Sequence, residues 1–270
     1  MGIFDGFLRA RRRRLAERGA IRDELWAWAI DEHRVFAGLP DDDRTRLREL
    51  SGQFLATKRF YPVDGAEIDE KLKVSVATQA CLPLLGLDLS WYRDFSTIFV
   101  TPDAYTVTQR WTDESGIVHE REEALAGEAF SLGPIALSIP DIDASGWGDG
   151  YNVVIHEMAH KLDGLDGLYD GRPPLRAGMD PLHWNETFTE AWKDLNAKLS
   201  DSPKARRAAR RGTSKTRSRL DPYAAESPDE FFAVVCEYFW ERPTVLAREY
   251  PAVHEQLKLF FRRDPSTWRR

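Results

Sequence analysis

Ile155-His156-Glu157-Met158-Ala159-His160-Lys161-Leu162-Asp163 is the stretch that decides how the rest of the chain is read. Wound as a helix, it sets His156 and His160 one turn apart on one face, with Glu157 beside them. Two imidazoles at that spacing suit a zinc ion, and the neighbouring carboxylate suits a base acting on a water that the metal activates. Tyr151, Val154, Ile155, Met158 and Leu162 fall on a separate apolar stripe, which predicts a helix over 152–163 with that stripe against the core. Glycines at 146, 148 and 150 precede the helix, and glycines at 164, 167 and 171 with Pro173 and Pro174 follow it. The pattern implies a zinc-dependent hydrolase, most simply a peptidase. It requires a third ligand, a second element to carry that ligand, and a dry pocket.

Two carboxylates compete for the third place on the metal. Asp166 lies six residues after His160, the offset used when a glycine stands three residues after the second histidine; here that position is Asp163, one residue out of register. Glu230 opens a helix in Ser227-Pro228-Asp229-Glu230-Phe231-Phe232. The same residues form a capping box with proline at the first helical position, and a glutamate folded back on its own cap is not free to bind metal. Residue chemistry alone leaves these readings open, with Glu226 and Glu237 as weaker alternatives. Asp163 is a candidate to hydrogen-bond a ligand imidazole from outside the metal, or else an exposed residue at the helix end. The other histidines, His33, His119, His183 and His254, have no ligand spacing.

Working outward, 270 residues with 42% hydrophobic content, nine Trp and fourteen Phe support a packed interior. A net charge of −6 gives no general case for nucleic-acid binding. The basic charge is clumped: residues 204–219 hold eight Lys or Arg and no acid, and a second cluster spans 9–22. Without interleaved aromatics, 204–219 reads as a solvated loop rather than a nucleic-acid surface. Two distant cysteines, Cys81 and Cys236, make no disulfide framework and favour a reducing compartment. The first fourteen residues lack the continuous apolar run of a secretory signal, and no stretch reaches membrane-spanning length. The expected location is the cytoplasm, with no membrane partner.

Helical spacing covers residues 1–60, 71–86, 182–199, 228–241 and 243–262, the last broken at Pro251. Strand character marks 97–100, a hairpin over 105–120 with its turn at 113–116, and 130–139. Pro134 suits a sheet edge better than a sheet centre, so 135–138 is the expected edge strand for an extended peptide, with 127–129 nearby. No compositional linker divides the chain, and a single domain is expected over 1–270.

Several segments resemble the Mlc titration factor A family of bacterial zinc peptidases: IHEMAHKLDGLDG (155–167), PYAAESPDEFFAVVCEYF (222–239), GEAFSLGPIALS (127–138), CLPLLGLDLSWY (81–92), DGRPPL (170–175) and FFRRDP (260–265). The resemblance runs from about residue 20 to 265. It implies an α+β, zincin-like fold with helices packed on a small mixed sheet. By it, His156, His160 and Glu230 would hold one Zn2+, Glu157 would be the catalytic base, and Tyr223, seven residues before Glu230, an active-site tyrosine. The same Tyr-to-Glu spacing links the family to the anthrax lethal factor metalloprotease at the metal site. The implied activity is a gluzincin-type peptidase, an aminopeptidase acting on peptides. The family name also implies a transcription-repressor partner of the Mlc type, and with it a second reading: a regulator that sequesters a glucose-system repressor. Cys236 departs from the small hydroxyl residue expected there, and 204–219 stands as a basic insertion before Tyr223.

Overall fold

The structure, a computed structural model, describes residues 14–15, 17–103, 105–112, 118–125, 127–129, 133–200 and 219–268. The basic segment over 204–218, the first thirteen residues and the turn expected at 113–116 lie outside the described residues. Helices α1 (Asp23–Glu32), α2 (Asp41–Thr57) and α3 (Glu70–Cys81) form the N-terminal half, with strand β1 (Arg59–Pro62) between the last two. Strands β2 (Thr97–Thr101), β3 (Tyr105–Thr112), β4 (Val118–Leu125), β5 (Gly127–Ala129) and β6 (Ile135–Ser138) follow. The rest is helical: α4 (Ile139–Ala144), α5 (Val153–Asp163), α6 (Pro181–Ser200), α7 (Pro228–Glu241), α8 (Pro243–Glu249) and α9 (Pro251–Phe261).

The main sheet runs in the order β1-β2-β6-β5. The first three strands are parallel, and β5 closes the sheet antiparallel to β6, pairing Gly127 with Leu137 and Ala129 with Ile135. β3 and β4 make a separate antiparallel hairpin, Tyr105 opposite Leu125. Helices on a small mixed sheet make this an α+β, zincin-like fold. Buried side chains from Ile21 to Trp268 join one apolar cluster.

Sheet order corrects one expectation. Ile135–Ser138 is not an edge strand: β2 occupies one side of it and β5 the other. Pro134 is tolerated because it precedes the strand and owes the ladder no N–H. The edge on this side of the sheet is Gly127–Ala129. Two further elements differ from the sequence reading. Residues 59–62 form an edge strand rather than the end of a helix, because Pro62 cannot extend a helical ladder and Arg59 N–H donates to Ser96 O at 2.8 Å. The expected strand stops at Ser138 rather than at Ile139, and residues 139–144 are helical, started by the Ser138 side chain accepting from Asp141 N–H, with Pro140 in the first turn.

Helix α5 lies in the middle of the molecule, packed against α7, α3, β5 and β6. Its apolar stripe faces the core as expected, and so does most of the remainder: Glu157, Lys161 and Asp163 are buried beside Val154, Ile155, Met158 and Leu162. Gly171 ties the end of this helix to the start of α7. Its N–H donates to Asp163 Oδ2 at 2.9 Å, and a Cβ there would stand 2.5 Å from Pro228 O with the backbone held at φ +76°. Gly171→Ala is therefore expected to cost about 1–3 kcal/mol through strain and backbone displacement, a fall of several degrees in Tm that thermal unfolding would register.

Candidate metal centre

The metal-motif helix starts at Asn152, whose side chain accepts from Ile155 N–H at 2.9 Å. This cap is itself fixed, because the Asn152 amide donates to Gln79 Oε1 at 2.7 Å and to Glu241 Oε1 at 2.8 Å. The second helix of the site, α7, starts at Ser227, which accepts from Glu230 N–H at 3.3 Å with Pro228 at the first position. Only half of the capping box forms. The Glu230 side chain turns toward the two histidines.

Three donor atoms converge there. His156 Nε2 lies 3.2 Å from His160 Nε2 and 3.1 Å from Glu230 Oε2, and His160 Nε2 lies 3.6 Å from the same oxygen. Among the described residues, His156, His160 and Glu230 form the group able to offer three ligand atoms to one ion. Two donors each about 2.0–2.1 Å from a tetrahedral zinc stand about 3.3 Å apart, close to all three separations. Glu230 Oε2 is buried yet makes no hydrogen bond. A buried anionic acceptor facing two imidazole nitrogens without a hydrogen bond is an arrangement that a cation satisfies. The residues present fit a zinc ion.

The electrostatics agree. Burial pushes the His156 imidazole down, but the Glu230 and Glu237 carboxylates outweigh it and hold the ring well above its ordinary value. Burial alone would raise Glu230, and the two histidines instead hold its carboxyl well below the usual carboxylate range.

Glu237 has a role that the sequence did not reveal. His156 Nδ1 donates to Glu237 Oε1 at 2.8 Å, and Glu237 Oε2 accepts from Asn152 N–H. With a cation on Nε2, this contact would keep the remaining imidazole proton on Nδ1, directed at Glu237. Glu237 lies seven residues after Glu230, two helical turns along the same face of α7; that spacing is the signal that could have found it. Asp163 was the sequence candidate for such a contact. It is instead fully buried, with one oxygen on the Gly171 amide and the other without a hydrogen-bond partner, and burial raises its pKa to about 7. Glu237→Gln is expected to weaken metal binding about 10–100-fold while leaving the fold intact, as chelator competition and circular dichroism would show.

Glu157 is 2% exposed, and its Oε2 is buried without a hydrogen-bond partner. Burial raises its carboxyl pKa, against a lowering by the two neighbouring histidines. Tyr223 sits in a short turn, Pro222–Ala225, with its ring centre 6.0 Å from that of His156 and 43% of its surface exposed. The remaining acidic candidates are elsewhere: Asp166 is exposed and accepts from Leu168 N–H at 3.0 Å, and Glu226 is exposed. Among the other histidines, His33 and His254 are buried away from the cluster and His183 is exposed; the His119 side chain lies outside the description. Cys236 is a buried thiol, pushed well up by desolvation, as its place in the apolar face of α7 predicts. No described helix is long and apolar enough to cross a membrane.

The chain is similar to known proteins over most of its length. The model of the glucose-regulated metallo-peptidase M90 family matches residues 7–262. The chain is 32% identical over 231 residues to a Mlc titration factor A from Cronobacter sakazakii, covering 86% of this chain and 83% of the relative. It is 29% identical over 254 residues to that of Escherichia coli (89% and 92% covered), and 30% identical over 249 residues to that of Salmonella gallinarum (91% and 89% covered). Because the match spans residues 7–262, both helices of the candidate site included, the protein belongs to the glucose-regulated metallo-peptidase M90 family.

Proposed function

We propose that this protein is a zinc-dependent peptidase in which His156, His160 and Glu230 hold the ion, Glu157 is the general base and Tyr223 assists. The observation that carries this reading is the convergence of two imidazole nitrogens and one carboxylate oxygen, that oxygen making no hydrogen bond. Bound there, zinc would supply Lewis-acid polarisation of the substrate carbonyl and ease the ionisation of water near neutral pH. Glu157 takes the proton of the attacking water and passes it to the departing amine. A carboxyl raised by burial suits both halves of that task, because a base that must later act as an acid works best with a pKa near the working pH. The Tyr223 hydroxyl donates to the oxyanion that develops on the carbonyl. Gly127–Ala129, the sheet edge closest in sequence to β6, pairs with the extended substrate.

The finer activity we propose is that of an aminopeptidase on short peptides, in a cytoplasmic setting. The relatives carry the name Mlc titration factor, which supports a second reading in which the chain also binds a repressor of that type. Hydrolysis of a panel of free and N-acetylated peptides, before and after chelation, tests the first. Loss of all hydrolysis on chelation, with recovery on adding zinc and preference for free amino termini, is the expected result; chelator-resistant hydrolysis contradicts it. A pull-down of the repressor with the Glu230→Ala variant separates catalysis from binding.

A further inference from the structure

A cavity opens where residues of α1, the start of α3 with the segment before it, α4 and the glycine-rich loop before α5 meet. It is a half-open cleft of about 450 Å³, within the size range of small-ligand sites. Three rings wall it: His33 lies 5.7 Å from Trp28 and 6.2 Å from Trp147, centre to centre. His33 is fixed, with Nδ1 2.8 Å from Ala29 O and Nε2 3.0 Å from Ser75 Oγ. Trp147 is 40% exposed, and its indole N–H donates to Asp143 O at 2.7 Å. The loop that presents it is constrained: Gly146 stands at φ +93°, where a Cβ would meet His33 at 2.8 Å.

The charge lining this cavity is one-sided. Four carboxylates, including those of Glu32, Glu67 and Asp143, face it against the single ammonium of Lys71. Those three make no ion pair among the described residues. Lys71 Nζ already sits 5.1 Å from the centre of the Trp28 ring, so the wall engages a cation within the molecule itself. The carboxylates do not gather into a group that could share one metal ion; among the described residues that arrangement occurs at His156, His160 and Glu230. Dispersed negative charge with aromatic faces suits a bulky organic cation, whose charge is spread over methyl or methylene groups, better than a bare metal ion.

We infer that this cavity is a binding site for a small organic cation, a substituted ammonium group held against Trp28 and Trp147 and neutralised by Glu32, Glu67 and Asp143. The site is separate from the metal centre and does not depend on the peptidase reading. The test uses the full chain at constant ionic strength, titrated with tetramethylammonium, with tert-butanol as a neutral analogue of similar shape and with Mg2+ as a compact cation. Tryptophan fluorescence and calorimetry report binding. Saturable binding of tetramethylammonium alone is expected. Trp147→Ala should weaken it on the order of tenfold. Lys71→Met, which removes the resident cation, should strengthen it by a few-fold. Both positions are exposed, so neither variant threatens the fold. Equal response to tert-butanol, equal response to Mg2+, no saturation, or an unchanged affinity in both variants would overturn the assignment.

Discussion

Replacing Glu157 by Gln is expected to lower peptide hydrolysis about 10²–10⁴-fold while leaving one zinc per chain. The loss corresponds to about 3–5 kcal/mol of transition-state stabilisation. Glutamine keeps the shape and polarity of the side chain but cannot take a proton. The metal should stay because Glu157 is not among the three converging donors. The amide also removes a buried carboxyl that has an unpartnered oxygen, so stability should hold or rise. The check is a pair of measurements on one preparation, turnover and metal content. Wild-type turnover in this variant would remove Glu157 from the mechanism, and loss of metal would place it among the ligands.

The second large effect belongs to Glu230. Glu230→Ala should weaken zinc binding by more than about 100-fold, because losing only an outer partner of a ligand already costs 10–100-fold. Activity should fall with metal occupancy. The helix should survive, since its start depends on the Ser227 hydroxyl and the Glu230 backbone N–H rather than on the Glu230 side chain. A related result concerns protons. Without metal, His156 is held well above its ordinary pKa by Glu230 and Glu237, which outweigh the effect of burial. Zinc must displace that proton, so binding at neutral pH should release about one proton per site. Affinity should fall as the pH is lowered, since protons compete for the same nitrogen. Calorimetry in buffers of different ionisation enthalpy counts the protons, and competition with a chelator reads the affinity of the variant.

Much of this site was legible in the sequence because its information is local. His156, Glu157 and His160 lie within one turn and a half of helix, and a helix fixes their relative placement whatever surrounds it. Glu230 was legible as a choice, not as an answer. Its capping position and its metal position are both consistent with the same four residues, and only the tertiary approach of α7 to α5 decides where its side chain points. Glu237 was hidden for the same reason: a glutamate in an apolar helix face states that it needs a partner but not which one.

The sheet marks the other limit. The strands β2 and β6 show in their β-branched and apolar residues, but their lateral order is set by long-range pairing that no local pattern records. Placing the edge at Ile135–Ser138 followed from Pro134, which is a local signal. The register with β2 and β5 overrides it. Arg59–Pro62 escaped notice because four residues carry too little periodicity to be told from the end of the preceding helix.

Zinc K-edge X-ray absorption on the purified chain tests the central claim most directly. The account predicts one zinc per molecule, with nitrogen and oxygen neighbours at about 2.0–2.1 Å, scattering from two imidazole rings and no sulfur. In Glu230→Ala the same edge should be lost or changed. A metal-free chain after zinc loading, a sulfur neighbour at about 2.3 Å, or an edge unchanged by Glu230→Ala would contradict it.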